Sequence, residues 1–250
     1  MTVLAVRGLS KAYGGVQAVR EVSFSVAAGE LLAMIGPNGA GKTTCFNMLN
    51  GQVAPDAGTI QFEGRSLAGL APRSIWRLGV GRTFQITATF GSMCVRENVQ
   101  VALLAHARRL GSVLSSASDA FEDQANELLE RTGMRPQAER QCAELAYGDL
   151  KRVELAMALA SSPRLLLMDE PTAGMASAER NDLMQLVAAL VRDAGIAVLF
   201  TEHDMEVVFR HAGRVIVLSD GAVIAQGTPA EVRANELVRS VYLGDEVGHA

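Results

Sequence analysis

The sequence predicts an α/β fold in which a core of alternating strands and helices is interrupted by a helical insertion. Three observations predict it. An apolar run typical of a buried strand, Leu31–Ile35, passes through a glycine-rich loop into the start of a helix. Strand and helix patterns alternate again from residue 165 onward. Between residues 86 and 146 the patterns are helical and no strand signal intervenes, so we expect this stretch to be inserted into the core.

Length, composition and charge limit the classes of protein to which this chain can belong. Its 250 residues are 49% apolar, enough for one large domain with a substantial core. The 23 basic and 27 acidic residues leave a formal net charge of -4, which argues against nucleic acid as a general electrostatic partner. No apolar run is long enough to span a bilayer and the N-terminus lacks a signal-peptide pattern, so we expect a cytosolic protein. Three widely spaced cysteines, Cys45, Cys94 and Cys142, suggest neither a metal site nor a disulfide framework.

The first third of the chain is predicted to hold an antiparallel sheet beside the first core strand. Besides Leu31–Ile35, strand patterns occur at residues 3–9, 19–26, 59–63 and 79–84. Gly14 and Gly15 separate the first two of these strands, and a turn-rich segment at 54–58 precedes the third. We therefore expect the first two strands to pair in antiparallel fashion.

The rest of the chain is predicted to hold the insertion and the remainder of the core. Helical patterns occur at residues 95–107, 120–131, 148–160 and 177–193, and from about residues 204 and 229. Strand patterns occur at 165–168, 196–200, 214–218 and 222–226, the last two flanking a hairpin turn. Thr228 and Glu231 form a capping box at the start of the predicted last helix. Residues 110–118 are small and serine-rich, so we expect a mobile loop there.

One segment carries the strongest chemical signal in the chain. It follows the strand Leu31–Ile35 and matches the phosphate-binding pattern Gly-x-x-x-x-Gly-Lys-Thr. Its residues are Gly36, Pro37, Asn38, Gly39, Ala40, Gly41, Lys42, Thr43 and Thr44. Glycines leave backbone N–H groups free to converge on phosphate oxygens, and a helix start favours an anion. We expect Lys42 to contact the β- and γ-phosphates and Thr43 to bind Mg²⁺; the alternative is an ordinary strand–turn–helix with a stray lysine.

Two carboxylates follow the buried strand at residues 165–168. Asp169 can hold Mg²⁺ directly or through water, and Glu170 can orient and polarise an attacking water as general base. A strand that ends in Asp-Glu is weak evidence alone. Behind a phosphate-binding loop it has the arrangement known as Walker B, so we interpret the pair as functional rather than structural.

Two further polar residues are placed near strand ends. His203 follows the predicted strand at 196–200, and the carboxyl end of a parallel strand opens onto the ligand crevice. We predict that it senses the γ-phosphate; alone it would more often be a structural or surface histidine. Gln85 lies where the core meets the insertion. A glutamine there could contact Mg²⁺ or water and report to the insertion, although by itself it is uninformative.

In this order, the segments resemble those of the ATP-binding subunit of an ABC transporter, over nearly the whole chain. The loop at 36–44, Gln85, the run 145–149, Asp169 with Glu170, and His203 look like Walker A, Q-loop, signature, Walker B and switch histidine. The resemblance implies ATP and Mg²⁺ as cofactors. It implies metal contacts from Thr43, Gln85 and Asp169, and catalytic roles for Glu170, His203, Gln85 and Lys42. Tyr13 matches the residue that stacks on adenine, the alternative being a strand-edge tyrosine.

A closer resemblance is to the branched-chain amino-acid import group. It rests on the runs 11–19, 83–86 and 90–99 and on the ending at 241–244. A lipopolysaccharide-export ATPase shares much of the same pattern. The resemblance implies a cytoplasmic ATPase, peripheral on the inner face of the cell membrane, that works with two permease subunits, a second ATPase subunit and a solute-binding protein outside. The alternatives are an exporter ATPase and an ATP-binding switch with weak turnover.

In this family two ATPase subunits pack head to tail, so each signature meets ATP held by the other subunit. The signature residues here are Ala146, Tyr147, Gly148 and Asp149. This sequence departs from the family where Ala146 replaces the usual Ser, Leu150 the usual Gln, and Ala176 the usual D-loop Asp. The missing hydroxyl at residue 146 affects the partner's site, so we hypothesise a catalytically unequal pair.

The same resemblance implies the domain organisation. Residues 1–250 form a single ABC ATP-binding domain, with residues 1–85 and 147–250 as the α/β core and 86–146 as the inserted helical subdomain that ends at the signature. Apolar residues between 86 and 99 are expected to pack locally. By analogy with the family, some of them line a groove for a cytoplasmic helix of the membrane subunit.

Overall fold

The computed structural model describes residues 1–83, 89–107 and 121–247 of the chain. Over these ranges the chain forms ten strands, β1 (Thr2–Tyr13), β2 (Val16–Ala27), β3 (Leu31–Ile35), β4 (Ala57–Phe62), β5 (Arg65–Ser66), β6 (Val80–Thr83), β7 (Leu165–Asp169), β8 (Ala197–Thr201), β9 (Arg214–Ser219) and β10 (Ala222–Gly227). Every strand predicted from the sequence is present. The two-residue β5 is additional, and β1 and β2 are longer than predicted.

The same ranges contain nine α-helices. They are α1 (Lys42–Leu49), α2 (Pro72–Leu78), α3 (Val95–His106), α4 (Glu122–Arg131), α5 (Tyr147–Leu159), α6 (Ser177–Ala194), α7 (Met205–His211), α8 (Pro229–Ala234) and α9 (Glu236–Val247). None of the helices in these ranges has both the length and the apolarity needed to cross a membrane.

Two helices differ from the sequence-based expectation. The first, α2, begins at Pro72 after Ala71, which makes no side-chain capping hydrogen bond, so the usual polar start signal is absent. The second, α9, divides what was predicted as one last helix beginning at residue 229. Asn235 Oδ1 accepts hydrogen bonds from the backbone N–H groups of Leu237 and Val238, at 2.9 and 3.2 Å. This side chain starts a new helix because it satisfies two otherwise orphan donors.

The smaller sheet has the strand order β2-β1-β4-β5 and is antiparallel throughout. Val6 lies opposite Phe24 on one side and Ile60 on the other, and all three side chains are buried. The alternating strand pattern therefore has its expected cause, one buried face. The predicted N-terminal antiparallel sheet is confirmed.

The larger sheet sets the geometry of the candidate site. Its order is β10-β9-β3-β8-β7-β6, with β10 antiparallel to β9 and the other neighbours parallel. Ile35, Asp169 and Thr201 end β3, β7 and β8, and parallel strands end at the same edge of a sheet. The glycine-rich loop, the two carboxylates and the histidine segment therefore emerge side by side.

Both faces of the larger sheet are buried. In β8, Val198 and Phe200 belong to one hydrophobic cluster, while Ala197 and Leu199 belong to a second cluster on the opposite face. This explains why the parallel strands are continuous apolar runs rather than alternating patterns. Helix α1 packs in the cluster that also holds the antiparallel sheet.

The described part of the insertion is helical, as predicted. Helices α3, α4 and α5 pack against one another, and Val99, Leu129 and Val153 are fully buried between them. The predicted mobile loop at 110–118 lies outside the described residues. Helix α5 also contacts β6 and α6 of the core, so the domain boundary placed at residue 146 stays a prediction.

Candidate functional site

The loop between β3 and α1 has a backbone that only glycine can adopt at two points. Gly36 has φ of 155° and Gly41 has φ of 98°. A Cβ atom on Gly36 would lie 2.2 Å from the carbonyl oxygen of Leu218, and one on Gly41 would lie 2.3 Å from that of Ala18. The loop is therefore pressed against neighbouring backbone while its outer side remains open to a ligand.

Lys42 is held inside this loop. Its Nζ donates hydrogen bonds to the carbonyl oxygens of Gly36, at 2.6 Å, and Pro37, at 3.0 Å. Burial lowers the pKa of Lys42, and the nearby carboxylates of Glu170 and Asp169 oppose that shift. The loop therefore holds the ammonium group of Lys42 at the site, where it can contact a bound anion without movement of the backbone.

Asp169 is almost fully buried at the end of β7 and uses both of its oxygens. Its Oδ1 accepts a hydrogen bond of 2.8 Å from the Thr201 hydroxyl, and its Oδ2 lies 3.3 Å from Nη2 of Arg82. Sequence analysis did not identify Thr201 or Arg82. Each comes from a neighbouring strand of the sheet, so only the strand order could have indicated them.

Glu170 and His203 contact each other directly. Nε2 of His203 lies 2.8 Å from Oε1 of Glu170. An ionised carboxylate only accepts hydrogen bonds, so the contact requires a proton on Nε2. Glu170 has φ of 47°, which is costly for a residue with a side chain, and its N–H donates to the Thr201 hydroxyl at 3.0 Å. The neighbouring strand therefore holds Glu170 in a strained position facing the histidine.

A second buried contact ties together the segments that carry this pair. Oε1 of Glu202 accepts hydrogen bonds from the backbone N–H and the hydroxyl of Thr172, at 2.9 and 2.6 Å, and Oε2 accepts one from the N–H of His203 at 3.1 Å. Glu202 and Thr172 are 4% and 2% exposed. Neither residue could be identified from the sequence, because a Glu before His203 and a Thr after Pro171 do not individually indicate a function.

The loop, Glu170 and His203 line one cleft of about 180 Å³. Its lining residues are Ala18, Asn38, Gly39, Ala40, Gly41, Lys42, Thr43, Thr44, Glu170 and His203. The volume is below that of pockets that enclose a whole drug-sized ligand, so the cleft suits a chain of phosphates. Tyr13 is half exposed beyond the lining, with Lys11 Nζ 5.5 Å from its ring centroid.

The residues present fit a magnesium ion that takes one or two ligands from the protein and the rest from water and phosphate oxygens. Thr43 provides a hydroxyl in the cleft and Asp169 a carboxylate beside it. Among the described residues, no group of three or more His, Cys, Asp or Glu side chains could hold a metal ion. Mg²⁺ commonly binds through one or two protein oxygens and completes its shell with water and phosphate oxygens. The donor set therefore matches a metal that arrives with a phosphorylated ligand.

The predicted signature segment lies apart from the cleft lining. Ala146 precedes α5 and makes no side-chain capping hydrogen bond, while Tyr147 is 40% exposed. Gly148 has Met175 and Glu179 as neighbours, and Asp149 Oδ2 accepts a 2.9 Å hydrogen bond from Gln137. Within one chain this segment does not meet the glycine-rich loop, so its predicted contact with ATP in a second subunit stays a prediction.

Gln85 lies outside the described residues, as do the neighbouring positions 84 and 86–88. Its predicted contacts with Mg²⁺ and water therefore stay predictions.

Comparison with known proteins agrees with the fold. The model of the ABC transporter family matches residues 19–173, more than half of the chain. A second model, branched-chain amino acid ATP-binding cassette transporter, matches residues 222–248.

Individual relatives extend the match to nearly the full length. The chain is 40% identical over 251 residues to the high-affinity branched-chain amino acid transport ATP-binding protein LivG of Salmonella typhimurium, with 97% of this chain and 98% of the relative covered. It is 36% identical over 246 residues to the lipopolysaccharide export system ATP-binding protein LptB of Escherichia coli, with 98% and 99% covered.

A solved structure has the same fold. The crystal structure of the ADP conformation of an ATP-binding cassette from an ABC transporter superposes with a TM-score of 0.88 at 29% identity, covering 98% of this chain and 99% of that one. These matches confirm the predicted family, fold class and ATPase class. The chain therefore belongs to the ABC transporter family, among its ATP-binding subunits.

Proposed function

We propose that this chain binds and hydrolyses ATP, as the subunit that powers an ABC importer of branched-chain or other small hydrophobic amino acids. One observation carries the catalytic part of the proposal. A carboxylate and a histidine, Glu170 and His203, lie 2.8 Å apart in the wall of a cleft whose floor is a phosphate-binding loop. That is the placement needed to activate water beside a terminal phosphate.

ATP binding is assigned to the loop and its helix. The backbone N–H groups of residues 38–44 and the start of α1 hold the phosphates, and Lys42 leaves the loop carbonyls to contact the β- and γ-phosphate oxygens. Thr43 and Asp169 would hold Mg²⁺, and Gln85 would supply a further oxygen to it. When bound, Mg²⁺ neutralises charge that develops on the phosphates. Tyr13 stacks on adenine outside the cleft.

Catalysis is assigned to the Glu170–His203 pair. Glu170 accepts a proton from the attacking water, and His203 donates a hydrogen bond that fixes the carboxylate and faces the γ-phosphate. The strained backbone at Glu170 supports this role, since residues held at positive φ cluster at functional sites. Phosphoryl transfer depends on positioning and charge stabilisation more than on covalent chemistry, so small displacements of this pair have large effects on turnover.

The second half of each site is assigned to another subunit. We place Ala146, Tyr147, Gly148 and Asp149 against ATP bound to the partner's loop, where Gly148 and the start of α5 provide backbone donors. Ala146 lacks the hydroxyl that serine would add. One missing hydrogen bond to a charged phosphate costs on the order of 1.5–3 kcal/mol, so the partner's site is slowed while the site built on Lys42 keeps its own residues.

The importer assignment rests on the relatives. Two permease subunits, a second ATP-binding subunit and an extracytoplasmic solute-binding protein complete the assembly, and the chain sits on the inner face of the membrane through the permeases. The higher identity to the amino-acid transport protein, and the matching C-terminal segment, favour import over lipopolysaccharide-type export. A permease pair and a solute-binding protein encoded beside this chain would support the importer; lipid-export components would support the exporter.

The test is ATP turnover by the purified chain and its Glu170→Gln form across a range of protein concentrations. We expect turnover to rise with concentration and to fall at least about 100-fold in Glu170→Gln, because general-base catalysis contributes about that much. ATP binding should persist in the variant. The matched control is Glu206→Gln, an exposed glutamate paired with Arg210, which should turn over at the wild-type rate.

Two results would overturn the proposal: no binding of ATP, or full turnover by Glu170→Gln in the assembled complex. If the chain alone binds ATP tightly but shows no turnover, two possibilities remain: an obligate unlike pair and an ATP-binding switch. Addition of the permeases and a second ATPase subunit would then restore hydrolysis for an obligate unlike pair, and would fail to do so for an ATP-binding switch.

A further inference from the structure

Arg82 links the predicted metal-binding carboxylate to the helix of the phosphate loop. Its Nη2 lies 3.3 Å from Oδ2 of Asp169, while Nη1 donates hydrogen bonds to Oδ1 of Asn47, at 3.0 Å, and to Oε1 of Gln52, at 3.3 Å. The Arg82 and Asp169 side chains are each only 10% exposed. The guanidinium is therefore held in a fixed orientation at the edge of the site.

Both oxygens of Asp169 have partners within the protein. One oxygen accepts a hydrogen bond from the neutral Thr201 hydroxyl, and the other faces the cation Arg82. Burial lowers the pKa of Arg82, and Asp169 opposes that shift. The other nearby cation, Lys42, is directed at loop carbonyls instead. A divalent cation that binds Asp169 thus meets a positive charge at the same carboxylate.

We infer that Arg82 is the counter-cation of Asp169 in the nucleotide-free chain and that Mg²⁺ arriving with ATP replaces it there. Like charges that share one carboxylate repel strongly where water is scarce. Arg82 therefore acts as a positioning residue that lowers the affinity of the site for the metal and supports Asp169 until the metal arrives. The inference rests on the proposed function, since it requires the chain to bind Mg²⁺ with ATP.

The guanidinium of Arg82 has polar partners besides Asp169. Arg82 also lines a cavity of about 400 Å³ whose walls include Trp76, Ala102 of α3 and Glu154 of α5. Glu154 is already paired with Nζ of Lys151 at 3.4 Å, but Nη1 of Arg82 keeps its hydrogen bonds to Asn47 and Gln52 when Nη2 leaves Asp169, so the charge stays in polar surroundings. Metal binding would in this way change the charge at a cavity between the core and the helical insertion.

The test compares two dissociation constants for a non-hydrolysable ATP analogue, one with Mg²⁺ and one with EDTA, measured by titration calorimetry. The quantity of interest is the ratio of the EDTA value to the Mg²⁺ value. In Arg82→Gln, Asp169 is no longer neutralised, so it repels the metal-free nucleotide. It also binds the metal without competition. Both effects raise the ratio, and we expect an increase of about tenfold, the size of one charge-assisted hydrogen bond.

Two further variants separate charge from structure. Arg82→Lys keeps the charge and should keep a ratio near that of the wild type. Arg164→Gln removes a more exposed arginine–carboxylate pair, in which Nη2 lies 2.6 Å from Oε1 of Glu63, and should change neither constant. A ratio that is unchanged or lower in Arg82→Gln would overturn the inference, as would an equal increase in Arg82→Lys. If the wild-type chain binds no nucleotide at all, it is the proposed function that fails.

A structural measurement on the wild-type chain covers the case in which Arg82→Gln does not fold. Crystals grown with Mg²⁺ and the ATP analogue should show the Arg82–Asp169 contact broken. Arg82 retained within hydrogen-bond distance of Asp169 beside a bound metal would contradict replacement.

Discussion

The glycine-rich loop and the signature segment, which the family resemblance joins in one nucleotide site, are built in different ways. Around the loop, polar side chains are satisfied by internal contacts: Lys42 by loop carbonyls, Asp169 by Thr201 and Arg82. The signature segment has less internal support, although Gln137 donates a hydrogen bond to Asp149. Ala146 starts α5 without a side-chain cap, and Tyr147 projects 40% of its surface to solvent.

The difference indicates which parts of the site the chain completes by itself. A glycine-rich loop whose neighbouring side chains are held by hydrogen bonds within the chain can bind phosphates before a second subunit arrives. A helix start without a side-chain cap and with an exposed aromatic residue is expected to find further partners outside the chain. The same contrast ranks the expected effects of mutations. A change at the loop should alter ATP binding or chemistry within the chain itself. A change at the signature should have an effect only when the chain is assembled with a second subunit.

The largest expected effect is at the loop. Lys42→Met should weaken ATP binding about 100-fold, because it removes two charge-assisted contacts with phosphate oxygens. Fluorescence titration with a labelled ATP analogue measures the change. Arg192→Met, at an exposed position on α6, should bind as the wild type does. Equal affinity in Lys42→Met would mean that the loop is not the phosphate site.

A comparable loss of turnover, without loss of binding, is expected at the histidine. His203→Ala leaves the loop intact but removes the 2.8 Å contact with Glu170, so kcat should fall by about 100-fold while KM changes little. His211→Ala is the matched control, since His211 contacts Asn181 and not the cleft. A loss of ATP affinity as large as the loss of kcat would show that His203 binds rather than positions.

A smaller effect is expected at the buried link between Glu202 and Thr172. Thr172→Val removes the hydroxyl that donates at 2.6 Å and keeps the backbone donor. We expect kcat to fall about tenfold because Glu202 loses one of its hydrogen bonds and the segments carrying Glu170 and His203 become less fixed. Thr172→Ser restores the hydroxyl and should restore kcat. A wild-type kcat in Thr172→Val would show that the hydroxyl is not needed and would contradict this role for the link.

The smallest effect is expected on the signature side. Ala146→Ser adds one hydroxyl that can reach phosphate in the partner's site, so turnover of the assembled pair should rise about fivefold, below the full value of one such hydrogen bond. ATP affinity of the isolated chain should not change. A rise in affinity of the isolated chain would place residue 146 in its own site and contradict the two-subunit arrangement.

The sequence was most informative where a function is encoded by consecutive residues. The loop at 36–44 and the pair Asp169-Glu170 were predicted because each follows a buried strand, and the structure brings Lys42, Glu170 and His203 to one cleft. The division into sheet and helical insertion followed from the same periodicity. The catalytic roles of Lys42, Glu170 and His203 remain predictions that the proposed experiments address.

The supporting contacts could not be predicted, because they join residues far apart in the chain. Arg82 meets Asp169 across 87 residues, and Thr172 meets Glu202 across 30. These pairs exist because β6, β7 and β8 are neighbours in the sheet, an order that local patterns do not contain. Helix α2 and the start of a new helix at Asn235 were not predicted for a different reason. Each depends on the one or two residues at which the helix begins.

The most direct test of a site shared between two chains is complementation between two inactive variants. Lys42→Met damages the loop and Gly148→Val the signature; each variant alone should show almost no ATP turnover, in the assembly in which the wild-type chain is active. In an equal mixture, pairs of unlike variants contain one loop and one signature that are both intact and face each other. We expect mixing to restore turnover that neither variant has. A mixture no more active than the mean of its two components would contradict a site built from two chains.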